Sequence, residues 1–276
     1  MAELSSSFAG WVRVALWVLV GAALAIPFVF GQEGTKPPGS RQPVLSRKLQ
    51  GRPVLVELFT SEGCSDCPPA DALLARLDRE QFVRGADAIV LSEHVTYWNH
   101  DGWADPFSME ENDERQQEYV DRFHLDSSYT PQAVVDGSLQ FVGNNAGAME
   151  QAVQQAAGAA KEPLTIENAH WEKGGVAFTV RTQAGPGAEL EAALAENATH
   201  RTVTAGENAG RVLHHVSVVR VMKNFGSKAF DGRVLRLADG GLIHGEDAKV
   251  PVRLVVFVAD RKTGHILAVA EQTLAR

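Results

Sequence analysis

The chain of 276 residues holds only two cysteines, Cys64 and Cys67. Two cysteines make neither a disulfide scaffold nor a four-cysteine zinc site. Positive charge is also in short supply. Twenty-six Lys and Arg against 34 Asp and Glu leave a net charge of −8, which excludes a general nucleic-acid binder. Neither cysteine lies near the N-terminus, so a lipid-modified N-terminal cysteine is excluded. Nothing marks disorder: 45% of the residues are hydrophobic and 22% charged, the balance of a globular chain. The length suits about two domains, each able to bury a core.

One long apolar run is present. Val14 to Phe30 carry no charge and follow Arg13. The run meets the lower limit for a membrane helix, about 17–25 residues, and also suits a signal-peptide core with Ala23-Leu24-Ala25 as its cleavage site. Residues 1–31 therefore read as a signal peptide or an N-terminal membrane anchor, with a buried core helix as the third reading. The first two export the rest of the chain, to a periplasmic or secreted location. Membrane contact is then confined to this segment. Residues 32–50 read as a linker, with Pro37, Pro38, Gly39, Ser40 and Pro43 and no apolar period.

Val54 to Phe59 is a β-prone apolar run broken by one acid, Glu57, and reads as a buried strand. Thr60-Ser61-Glu62-Gly63 is turn chemistry. Cys64-Ser65-Asp66-Cys67 follows, then Pro68-Pro69 and a helical pattern of Ala70, Leu73, Leu74 and Leu77. Prolines are tolerated in a first helical turn, so they mark its start. Two residues between cysteines in a helical first turn bring the sulfurs within bonding distance. The first cysteine then meets the helix N-terminus, where unpaired N–H groups favour a thiolate that attacks a disulfide, and the second resolves the mixed intermediate. Asp66 opposes that first step. Ala88 to Leu91 reads as a second strand. After Thr130-Pro131, two strands surround Asp136-Gly137, and a helix runs from Ala146 to Ala160.

Strand, Cys-x-x-Cys on a helix, a later Thr-Pro, a hairpin and a helix resemble the thioredoxin superfamily. That resemblance implies a cis-proline at Pro131, with Thr130 before it, beside the cysteine pair. More narrowly, Glu57 to Asp71 (ELFTSEGCSDCPPAD) is similar to the signature of the DUF1223 family, secreted bacterial thioredoxin-like proteins of unknown function. His94 to Asn99, Gly102 to Ser108 and Gly206 to Arg211 are similar to it as well. Ordinary thioredoxins have Trp before the first cysteine and Gly-Pro between the two, where this chain has Gly63 and Ser65-Asp66. The pair is open to three readings: thiol–disulfide exchange, a static disulfide in a non-catalytic binding module, or a copper site completed by His94.

The resemblance also implies a buried acid that exchanges protons near the resolving cysteine, a role carried to Glu57. The catalytic candidates are thus Cys64, Cys67, Pro131, Thr130 and Glu57. Residues 94–124 form an insertion that reads as a lid. His94, Trp98 and Trp103 are its substrate-binding candidates, for a protein or a small thiol or disulfide. Ser108 and Glu111 match a capping box for a helix to about Phe123. Arg115, Tyr119 and Arg122 share one face of it, the arginines balancing the helix's acids. No cofactor and no resident metal are expected, and the oligomeric state stays open.

From residue 163 the pattern turns to β. Leu164–Ile166, Val176–Val180, Val212–Val221, Val252–Val258 and Ile266–Ala270 are branched runs between Gly and Pro turns. Ala188 to Leu194 is read as another strand. The expected fold is a thioredoxin-like α/β domain at 51–162 followed by an all-β sandwich-like domain at 163–276. His214 and His215 fall on opposite faces of a strand and cannot share a metal. Glu207 to Arg211 reads as a loop that either touches the first domain or turns the chain.

Overall fold

The computed structural model describes residues 51–227, 232–239 and 250–274. The signal or anchor reading of residues 1–31 and the linker at 32–50 lie outside the described residues. Among those described, no helix is long and apolar enough to cross a membrane.

Alternation along the first strand sets the layers. In β1 (Arg52–Thr60), Val54, Val56 and Leu58 point to one face and Leu55, Glu57 and Phe59 to the other. The first face is covered by α1 (Pro68–Glu80) through Leu73, Leu74 and Leu77, and by α3 (Ala146–Gly158) through Met149 and Val153. β1 pairs in parallel with β2 (Ala86–His94) and antiparallel with β3 (Gln132–Val135), which hairpins into β4 (Leu139–Val142). Asp136 and Gly137 turn that hairpin at φ of 50° and 63°, and a Cβ on Gly137 would strike the carbonyl of Gly264. α2 (Glu110–Phe123) lies on the opposite face, where Tyr119 meets Phe59.

Ser108 does not cap α2. Met109 is the N-cap, because the Ser108 hydroxyl is spent on the preceding turn: it donates to Asp105 O at 2.7 Å and accepts from Asn99 at 3.0 Å.

The second half supplies β5 (Leu164–Glu172), β6 (Gly175–Thr182), β7 (Ala188–Thr202), β8 (Val212–Gly226), β9 (Leu235–Ala238), β10 (Val252–Asp260) and β11 (Ile266–Leu274). Ala188–Leu194 is a strand, as expected. β5, β6 and β9 make a three-stranded sheet whose Val176, Phe178 and Val180 pack on Leu190, Leu194, Leu254 and Val256 of β7 and β10. Two sheets therefore do face each other here. The larger one, however, is not confined to this half.

One mixed sheet runs β11-β10-β7-β8-β2-β1-β3-β4, joined where Ser92 of β2 pairs in parallel with Val218 of β8. The described part of the chain is a mostly β α/β fold with this eight-stranded sheet and three helices. The physical reason for the joint is that β2, buried along its whole length, would otherwise expose an unpaired edge. The far strand β11 also returns to the first half: Ile266 N donates to Asp136 O at 3.0 Å, and Lys161 bridges Asp136 and the Ile266 carbonyl at 2.6 Å each.

Candidate functional site

Cys64 and Cys67 are joined in a disulfide, with Cα atoms 5.4 Å apart. Cys67, not Cys64, is the N-cap of α1. Residues 64–67 close as a turn, with Cys67 N on Cys64 O at 3.3 Å, and the helix starts at Pro68, whose missing N–H costs nothing there. The pair is sealed: Cys64 is 1% exposed and Cys67 0%. Only Ser65 and Asp66 between them face solvent.

Three segments distant in sequence meet this turn. The Thr130–Pro131 bond is cis. Trp98 spans from it to the cysteine turn: its Nε1 donates to Thr130 Oγ1 at 2.7 Å, and a Cβ on Gly63 would lie 3.1 Å from its Cβ. Trp103 donates to Glu62 Oε2 at 2.9 Å. Both tryptophans are half-buried and spend their N–H groups inside the protein. The loop before β8 closes the other side. Asn208 Nδ2 donates to the carbonyls of Glu62 and Cys64, each at 2.9 Å, and Ser65 N donates to Glu207 at 3.1 Å. The Glu207–Arg211 loop thus touches the first half.

Beneath the turn lies a buried polar cluster of Thr60, Glu62, Asp71, His94, Asp105 and His215. Burial works against charge on His94, but Asp105, 2.7 Å from its Nδ1, outweighs it and raises the histidine above its usual range. Burial likewise pushes Asp105 up, yet His94 and the N–H groups of Glu62 and Phe107 hold it down to about 2. The two form a buried ion pair. His94 has no exposed surface, and its Nε2 has no hydrogen-bond partner among the described residues. A copper ion at the pair would need the disulfide reduced; among the described residues no three His, Cys, Asp or Glu groups are arranged to hold a metal.

The His94 ring lies 4.6 Å from that of His215, edge to face. His215 approaches Glu62 at 3.3 Å and Asp71 at 3.7 Å. Burial raises the Asp71 carboxyl, which accepts from Thr60 Oγ1 at 2.9 Å. His214 points outward and stacks on His200 instead. The opposite-face expectation for His214 and His215 holds, but its inward member belongs to the site. Glu62, Asp71, Asp105, Asn208 and His215 were not legible as site residues. For His215 the signal was strand alternation, which turns Leu213, His215 and Ser217 inward together.

Glu57 does not join the cysteines. It points to the α2 face, where Arg115 Nε reaches it at 2.5 Å and the Tyr119 hydroxyl at 2.6 Å. Arg115 is 9% exposed and also binds Glu191 of β7 at 2.8 Å, with Glu93 at 3.7 Å. It is a buried cross-link, unlike Arg122, which pairs with Glu118 along the exposed helix face. Burial and the neighbouring Glu57 push Glu93 well above the carboxylate range. A raised acid stabilises the fold at low pH and loses that contribution as pH rises through its folded value. Glu93→Gln should therefore raise stability relative to the parent increasingly from pH 5 to pH 9, read as the shift in urea midpoint at each pH; a difference constant with pH would contradict the assignment.

A family model described as a protein of unknown function, DUF1223, matches residues 55–255. The chain belongs to the DUF1223 family. A solved structure of similar fold is protein AGR_C_4864 from Agrobacterium tumefaciens, 22% identical, with a TM-score of 0.59 over 82% of this chain and 96% of that one. Part of a Bacteroides uniformis beta-glucuronidase aligns at 13% identity over 42% of this chain and 13% of that one, but its TM-score of 0.15 carries no argument. No curated protein matches. All of the residues gathered around the disulfide, from Thr60 to His215, lie inside the matched DUF1223 span.

Proposed function

We propose that this DUF1223 protein is a thiol–disulfide oxidoreductase acting through Cys64 and Cys67 on a thioredoxin-like frame. The observation that carries the reading is a Cys64–Cys67 disulfide at the start of α1, linked through Trp98 to the cis Thr130–Pro131 bond. The succession β1, Cys-x-x-Cys, α1, β2, Thr130-Pro131, the β3–β4 hairpin and α3 supports the thioredoxin-like reading. Trp98 also fills the space beside Gly63, where thioredoxins carry their own tryptophan.

In this reading a substrate thiolate attacks Sγ of Cys64. The S–S bond breaks and its electron pair leaves on Cys67 Sγ. A second substrate thiol then attacks the substrate sulfur of the mixed disulfide. The substrate leaves oxidised, and two electrons and two protons remain on the cysteine pair. Asp71 stands four residues after Cys67, a spacing that puts side chains about 5–6 Å apart at Cβ on one helix face. It is the acid placed to give or take the proton at Cys67, in place of Glu57. Residues 14–30, as signal or anchor, supply the exported compartment in which such a pair cycles.

Cys67→Ser should accumulate a mixed disulfide with a disulfide substrate, because the Cys64 thiolate attacks the substrate S–S bond, half of the substrate leaves as a thiolate and no second cysteine resolves the adduct. Cys64→Ser should accumulate none, read by non-reducing electrophoresis and intact mass. Equal trapping by both variants, or by neither, overturns the reading. The burial of both sulfurs favours a second one, a static disulfide in a binding module. A reduction potential below about −300 mV with no exchange activity would select it.

A further inference from the structure

A groove of about 490 Å³ runs between the outer face of α1 and the first residues of β8. It starts at Pro68, directly after Cys67. Ala72, Ala75, Arg76, Arg79, Arg211 and His214 line it. The size falls within the range of small-ligand pockets, about 300–1,000 Å³.

Its charge is opposite to that of the chain. Three guanidinium groups line it, although the protein carries a net −8. Two carboxylates are set against them. Glu80 contacts Arg79 at 2.8 Å and Arg76 at 3.5 Å, and Asp71 at the inner end is 5% exposed and turned toward Thr60 and His215. The face left to solvent is therefore cationic, built from the side chain best suited to carboxylates.

Arg211 ties this groove to the disulfide. Its Nη1 donates to Asn208 Oδ1 at 2.7 Å, and the amide of that same Asn208 holds the Glu62 and Cys64 carbonyls at 2.9 Å. We propose that the groove binds a low-mass thiol or disulfide bearing carboxylates, and that its carboxylate takes Arg211 from Asn208 and loosens the clamp over Cys64. This rests on the redox reading and names the substrate class for it.

Glutathione disulfide, a tetracarboxylate, serves as the probe, with neutral 2-hydroxyethyl disulfide as its control. The oxidised protein has no free thiol, so calorimetry with it reads binding without exchange. Saturable binding of glutathione disulfide is expected, weakened about tenfold or more in Arg79→Gln/Arg211→Gln and in Arg76→Gln/Arg79→Gln. The second variant leaves the Arg211–Asn208 bond intact. No saturable binding, or equal binding by all three proteins, overturns the proposal. Reoxidation of the reduced protein separates the two readings: reaction with the neutral disulfide but no arginine dependence for glutathione disulfide sinks the groove alone. Arginine-dependent binding with no reaction toward either disulfide upholds the groove as an anion site and sinks the redox reading.

Discussion

Replacing Arg115 with methionine should cost the fold about 3–5 kcal/mol, the effect of removing one partner from a buried ion cluster. Arg115 is the cation at the meeting of α2, β1, β2 and β7. Its guanidinium touches Glu57 and Glu191, lies near Glu93, donates to the Tyr119 hydroxyl at 3.2 Å, and sits 5.1 Å from the Phe257 ring centre. Methionine keeps most of the packing and removes all of the charge. The carboxylates of Glu57 and Glu191 and the carboxyl of Glu93 are then left facing one another without their cation. The loss should shrink as pH falls, because protonation relieves that repulsion. Urea unfolding at pH 5 and pH 8 measures both parts. A loss under about 1 kcal/mol at pH 8 would reduce the pair to the worth of a surface bridge.

Asn208→Ala should make the disulfide on the order of a hundredfold more reactive toward a small dithiol. A sulfur that is 1% exposed reacts only when its cover opens. The alanine leaves the carbonyls of Glu62 and Cys64 without the amide that joins them to the β8 loop. Two such bonds are worth about 2–3 kcal/mol together, which shifts an opening equilibrium by about that hundredfold. The measurement is the pseudo-first-order rate of reduction by dithiothreitol below saturation, with circular dichroism to check the fold. An unchanged rate would place the barrier elsewhere, with Trp98 as the next cover to remove. An equal rise in the unfolding rate would show that the whole fold, not the loop, had opened.

The elements were legible where the signal is local. Val54–Phe59, the prolines that open α1, Asp136-Gly137 and the branched runs of the second half each announce themselves by period or turn chemistry, and each lies in the corresponding element. What could not be read is what meets across long separations. Glu57 looked like a lone acid beside the cysteines, but strand alternation sends it to the far face, and only Arg115 explains why it is tolerated. Asp71 hid within an ordinary helix start. Asn208 and His215 come from more than 140 residues after the cysteines, carried there because β8 joins the edge of β2. No pattern within either half encodes that pairing; it follows from the need to satisfy a buried strand edge.

The same joint sets the order in which the site comes into being. A chain emerging from the ribosome offers both cysteines, the β1 strand and the α1 helix long before residue 208 exists. During that interval the two thiols have no cover, and any oxidant can close them. Once β8 docks and Asn208 takes the Cys64 carbonyl, the pair lies under the cover it has in the folded protein. The timing of synthesis therefore divides the life of the cysteine pair into an accessible youth and a guarded maturity, with the second half of the chain acting as the latch.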